Sequence, residues 1–218
     1  MTYRPIDDRL LSAFMMSTLL GLFFLLFAIK TQPAAADSPV ESSLAVSHEL
    51  PAYNLTLSES GRSIVLNGYI DFGITKDLAD LLELEDSVDH IQLHSPGGRI
   101  AEARGLVKVI ERFGLATTAQ GDCASACTLV FMAGHTRYLE PQSRLGFHRY
   151  AQNSAVIEFL MKQDPLDEQE RDMAIFRKAN IDEAFLDRIM ATPHQQMWFP
   201  TVNELLAAGV VNRRGIPQ

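Results

Sequence analysis

Between residues 63 and 148, short apolar stretches of strand type alternate with segments of helical periodicity, and this alternation constrains the fold more tightly than any other feature. Residues 53–58 and 63–70 carry β-type content around Ser60-Gly61, a turn signal, and predict a hairpin. Residues 74–86 place Leu78, Leu81 and Leu82 at helical spacing. Residues 90–94 read as a short strand ending at Ser95-Pro96-Gly97-Gly98. Over 99–113, Ile100, Ala103, Leu106, Val107 and Ile110 share one helical face, and Gly114 is a stop signal. A strand over 115–119, an apolar helix over 124–133, and short strands over 136–140 and 144–148 follow. Beyond 153 the pattern is mostly helical with breaks at Pro165 and Pro193, and 202–211 predicts a short helix and a last strand. Strand and helix in alternation imply βαβ units and a mainly parallel sheet, whose ligands gather at the carboxyl ends of strands. Both distinctive motifs, SPGG and Gly121-Asp122-Cys123-Ala124-Ser125-Ala126-Cys127, fall at such ends.

Part of the 47% hydrophobic content belongs to another element. Residues 10–29 form an uncharged apolar run with Arg4 and Arg9 before it and Lys30 after it. Twenty helical residues reach about 30 Å, the thickness of a bilayer's hydrocarbon core. Ala34-Ala35-Ala36 has the small-residue character of a signal-peptidase site, so residues 1–36 fit both a cleaved signal peptide and an uncleaved anchor. Either reading places the remainder across the membrane: in the periplasm, secreted, or anchored to the inner membrane and facing the periplasm. Residues 37–52 read as an Ala-, Ser- and Pro-rich linker, and 53–218 as the folded domain. Beyond residue 36 the chain carries 16 Lys and Arg against 25 Asp and Glu, a net charge of about −9. That balance argues against nucleic acid as a partner, because phosphate binding needs concentrated basic side chains. The sequence contains no Walker-type loop and no HExxH or Cys/His ligand spacing, so neither a cofactor nor a metal is expected.

Three groups of residues bear on chemistry. Ser125 stands between a predicted strand and an apolar helix, where unpaired backbone N–H groups gather and can hold an oxyanion. At this level two readings stand, a nucleophile and a helix N-cap serine. The glycines of SPGG let the backbone turn sharply and approach a ligand, so the N–H of Gly98 is one candidate oxyanion donor and that of Ala126 the other. His148, at the end of the strand Leu145-Gly146-Phe147, is a candidate general base. Cys123 and Cys127 flank the serine at a separation compatible with either a disulfide that staples the nucleophile turn or two buried thiols.

In order and spacing, these motifs resemble the proteolytic subunit of Clp protease. The stretch Ser63 to Asp71 is similar to that family's opening strand, and His94-Ser95-Pro96-Gly97-Gly98 to its SPGG signature. Ala124-Ser125-Ala126 falls at its nucleophile and Gly146-Phe147-His148 at its catalytic histidine. Phe199-Pro200-Thr201 through Asn212 resembles its closing helix and strand. The Cys-Ala-Ser-Ala-Cys surround also looks like a group of exported bacterial proteins of Clp-protease type. The resemblance implies an α/β fold of the ClpP/crotonase kind, a spiral of ββα units with a mainly parallel sheet, here preceded by one hydrophobic N-terminal helix. It implies a serine-type endopeptidase acting without ATP on peptides or unfolded chains, and possible assembly into a homo-oligomer. The sequence departs from the family at the acidic triad member, where Met197 stands beside Gln195 and Gln196. Gln196, or Asp187 from another segment, is the candidate third member, and a dyad with Lys162 is a further option. The missing acid keeps open an inactive scaffold or peptide-binding module; a crotonase-type acyl-transfer enzyme would use the same pair of amides.

Overall fold

The computed structural model describes residues 52–151 and 164–213, which belong to one compact unit spanning Glu49–Gln218. The apolar run, the proposed cleavage site and almost all of the linker lie outside the described residues. Among the described residues, no helix is long and apolar enough to cross a membrane.

The unit has a mixed α/β fold with a mainly parallel sheet. Strands β1 (Tyr53–Leu57) and β2 (Ser63–Gly68) form the expected antiparallel hairpin. Helix α1 (Ile74–Leu84) leads to β3 (His90–Ser95), α2 (Ile100–Phe113) to β4 (Ala116–Ala124), and α3 (Ala126–Met132) to β5 (Arg137–Leu139) and β6 (Arg144–Gly146). The order is β1-β2-β3-β4-β5, with β6 also on β4, and the pairings among these strands beyond the hairpin are parallel. Helices α4 (Pro165–Lys178), α5 (Glu183–Ala191) and α6 (Val202–Ala207) complete the unit.

Local chemistry explains the boundaries. Helix α1 buries Ile74, Leu78 and Leu82, and α2 buries Ala103, Leu106, Val107, Val109 and Ile110, the i, i+3, i+4 pattern of an amphipathic face. Gly114 ends α2 in the left-handed conformation (φ 65°) that glycine adopts without Cβ strain. Asp164, Asp182 and Thr201 cap α4, α5 and α6 with side-chain oxygens, Thr201 in a reciprocal capping box with Glu204. Helix α3 is buried along all seven residues, so it is a core element rather than an amphipathic one.

Two expectations need correction. Strand β4 does not stop at residue 119 but runs on to Ala124. The Gln120-Gly121-Asp122 stretch, left between the predicted strand and helix, is an irregularity within the strand. Leu93 and Ser95 of β3 face Ala119 and Cys123 of β4, so β4 accommodates two additional residues there. Gly121 takes φ 79° and donates its N–H to Ser143 Oγ at 2.7 Å. No strand forms over 202–211, and among the described residues the chain beyond makes a single bridge, between Tyr138 and Arg213. The amides of Val210 and Val211 both turn back to the Leu205 carbonyl (2.9 and 3.2 Å), closing α6 instead of extending a sheet.

Arg137 fastens that C-terminal segment. It is 6% exposed and donates to the carbonyls of Val210 (2.8 Å), Gly134 (3.0 Å) and Gly209 (2.9 Å). These carbonyls follow the ends of α6 and α3, where the helix dipole is negative, so backbone dipoles stabilise a buried cation. Replacing it with an apolar side chain strands these acceptors. Arg137→Met is expected to lower stability by roughly 1–3 kcal/mol. In urea denaturation of the full-length protein this appears as a lower midpoint at unchanged slope.

Candidate active site

Strand register assembles the site. Ser95 at the end of β3 faces Cys123 of β4, and Ala124 at the end of β4 faces Gly146 at the end of β6. The SPGG turn, Ser125 and the segment leading to His148 therefore leave the sheet side by side, at the carboxyl ends of three parallel strands.

Ser125 sits at the pivot between β4 and α3 with φ 55° and ψ −126°, a conformation that an L-residue with a side chain rarely adopts. Such backbone strain costs about 1–3 kcal/mol and persists only where the surroundings hold it. Here the Ser125 N–H donates to Gly146 O (2.9 Å), and the Ser125 carbonyl accepts from Thr128 N (2.9 Å) and Thr128 Oγ1 (2.7 Å). A disulfide joins Cys123 to Cys127 across the pivot, with Cα atoms 5.3 Å apart and both residues fully buried. Although Ser125 occupies the N-cap position, its side chain makes no capping hydrogen bond. The hydroxyl is thus left for other chemistry.

The SPGG turn packs directly on this pivot. A Cβ on Gly97 (φ 101°) would lie 2.8 Å from Ser125 Cβ and 2.7 Å from Ala124 O, which only glycine avoids. Of the two glycine amides, Gly97 N–H is spent on Ser95 Oγ (3.1 Å), and the Gly97 carbonyl accepts from Ile70 N (2.9 Å). Gly98 N–H has no acceptor among the described residues. Ala126, as the first helical residue, has no intrahelical acceptor for its own N–H.

His148 is half-buried and lines the same small cleft as Ser125 and Ala126. Leu129, Phe147, Met173, Phe176 and Ile189 make the rest of its wall largely apolar. Among the described residues no hydrogen bond joins Ser125 Oγ to His148. The His148 Nδ1 lies 2.6 Å from the Arg149 carbonyl. A carbonyl only accepts, so Nδ1 carries the proton and Nε2 presents the lone pair. Burial holds the imidazole pKa below its ordinary value; the bond to the Arg149 carbonyl opposes this, and His194 reinforces it.

A polar network that sequence reasoning missed supports this segment from α4. Gln169, 1% exposed, accepts from Tyr150 N (2.7 Å) and donates to the His148 carbonyl (3.3 Å). Tyr150 Oη donates to Asp172 (2.8 Å), which Arg104 holds with two bonds of 2.8 Å. No motif marks these residues, since they meet across separations of 19 to 68 positions of chain; only the polar residues on the buried face of α4 hint at them.

The candidate third members Gln196 and Asp187 are exposed, and neither side chain hydrogen-bonds to His148. The neighbours of His148 Nδ1 are the Arg149 carbonyl and His194 Nδ1, the latter at 3.3 Å. Lys162 lies outside the described residues. Among the described residues, no group of three or more His, Cys, Asp or Glu side chains is placed to hold a metal.

Two measurements check this geometry. In an NMR titration, the His148 ring is expected to change charge below the pH of about 6.5 typical of a free imidazole, leaving it neutral at pH 7. A midpoint above that value contradicts the burial described here. Reduction of the Cys123–Cys127 bond, which closes a loop of five residues, is expected to cost about 2 kcal/mol on the loop-entropy argument, measured as a fall in unfolding free energy.

No protein-family profile and no curated protein sequence matches this chain at a significant level. Among solved structures it is similar to an asparagine-to-aspartate mutant of ClpP1 from Listeria monocytogenes, with a TM-score of 0.60 at 20% identity. The similarity covers 73% of this chain and 94% of the other. The likeness establishes a ClpP-like fold for this chain.

Proposed function

We propose that this chain is a serine peptidase that works without ATP outside the cytoplasm. The observation that carries the reading is Ser125 itself. It is a non-glycine residue held in a strained backbone conformation with an uncapped hydroxyl, in one cleft with a histidine whose Nε2 bears the lone pair. Ser125 Oγ attacks the scissile carbonyl carbon, and its proton passes to His148 Nε2. The carbonyl π pair moves onto oxygen, where the N–H groups of Gly98 and Ala126 receive the charge. As the C–N bond breaks, the imidazolium returns the proton to the leaving amine. Water, deprotonated by the same imidazole, then hydrolyses the acyl-serine. The apolar wall of Leu129, Met173 and Phe176 suits an uncharged side chain next to the scissile bond.

Export is supported by the apolar run at 10–29 with Arg4 and Arg9 before it, and by the disulfide at Ser125, a bond that oxidising compartments favour. In the periplasm ATP is absent, so substrates are peptides or already unfolded chains. Assembly into a homo-oligomer belongs to the same proposal, on the strength of the ClpP-like fold.

A second reading, a peptide-binding module without turnover, draws on one observation: no carboxylate hydrogen-bonds to His148 among the described residues. A fluorophosphonate probe separates the two. Labelling is expected in the wild type, lost in Ser125→Ala, and slowed roughly 100-fold or more in His148→Ala. Absence of labelling in the wild type, or equal labelling of Ser125→Ala, favours the binding module.

A further inference from the structure

We infer that His194 takes the place of the missing acid, as a positioning residue that accepts a hydrogen bond from His148 Nδ1–H. The inference rests on the reading of Ser125 and His148 as nucleophile and base.

The backbone forces the two imidazoles together. Phe147 and Trp198 exchange two hydrogen bonds (2.8 and 2.9 Å), and Arg149 N donates to Thr192 O (2.9 Å). The segment 147–149 is thus pinned at both ends to the chain that flanks 193–197. That chain reverses in a turn closed by Gln196 N donating to Pro193 O at 2.9 Å. His148 lies between the pins on one side and His194 within the turn on the other. Their Nδ1 atoms are 3.3 Å apart, with ring centroids at 4.9 Å and planes at 62°.

The protonation pattern follows from the partners. Since His148 Nδ1 faces the Arg149 carbonyl at 2.6 Å, it holds a proton and shares it between that oxygen and His194. His194 Nδ1 must then present its lone pair, which places the His194 proton on Nε2. His148 is thereby fixed in the tautomer whose Nε2 carries the lone pair that a base needs. When Nε2 takes the serine proton, the imidazolium keeps two acceptors on Nδ1–H, a carbonyl and a neutral imidazole. Both orient the ring. Neither carries the negative charge with which a carboxylate would offset it, so the site runs below the rate of a carboxylate triad. Neither Gln196 nor Asp187 makes a hydrogen bond that would compete for this position.

The test uses the full-length protein and a fluorophosphonate probe, with the labelling rate of Ser125 resolved into affinity and maximal rate. His194→Ala is expected to lower the maximal rate roughly tenfold or more while affinity stays within about twofold, because an orienting contact acts in the transition state. His194→Asn, which restores a neutral acceptor, is expected to recover part of the loss. His194→Asp, which supplies a carboxylate, is expected to exceed the wild type. A maximal rate for His194→Ala within about twofold of wild type, or His194→Asn no better than His194→Ala, overturns the inference. If the wild type is not labelled, or Ser125→Ala is labelled equally, the nucleophile reading has failed instead. Ring nitrogen NMR then judges His194 alone. Loss or displacement of the His148 Nδ1–H resonance in His194→Ala supports the contact, and an unchanged resonance overturns it.

Discussion

The hydrogen bond from Ser125 N–H to the Gly146 carbonyl is the contact on which the site depends. It is the last rung between β4 and β6, formed one residue beyond the final strand pair, Ala124 and Gly146. It fixes where the chain leaves β4, and His148 follows Gly146 by two residues, so one bond relates the positions of Ser125 and His148. The rung exists because β4 is long enough to serve two neighbours in succession, β5 along its first half and β6 along its second. The irregularity at Gly121 makes that division possible by shifting the strand between the two partners. The strain at Ser125, on the order of 1–3 kcal/mol, is opposed by a helix that buries all seven of its residues immediately afterwards.

The histidine is held by different means. Among the described residues its side chain has no carboxylate as a hydrogen-bond partner, and its segment is fixed by backbone pins to Thr192 and Trp198 and by Gln169 from α4. Phe147 anchors the same segment in the core, 2% exposed, with its ring edge-on to Phe185 at 5.2 Å. The Arg104–Asp172–Tyr150 network beneath is fully paired, the condition under which buried polar groups stiffen a structure rather than weaken it. The His148 ring is therefore oriented chiefly by the chain around it, and its Nδ1 faces the Arg149 carbonyl and His194.

Much of this architecture was legible in the residues. Helical spacing marked α1 and α2 closely, Gly114 marked the end of α2, and Ser60-Gly61 marked the hairpin turn, because these depend on local periodicity and local backbone freedom. The extension of β4 was not legible. Gln120-Gly121-Asp122 has turn composition, and it continues as strand only because Ser95, Ser143 and β6 supply partners from elsewhere. The final strand failed for the converse reason: Val210 and Val211 have strand-forming side chains, but their amides are taken by the carbonyl of Leu205.

The same division runs through the site. Sequence by itself determined which residues stand at the ends of strands, since SPGG, Ser125 and His148 occupy positions that the strand–helix alternation fixes, and parallel strands bring their carboxyl ends to one edge of the sheet. Tertiary structure alone decided how each group is set there. The positive φ of Ser125, the consumption of Gly97 N–H by Ser95, the tautomer of His148 and the approach of His194 all arise from contacts between segments distant in the chain. A motif records residue types in order, whereas a hydrogen bond is set by a distance and an angle, and those exist only once the strands have found their register.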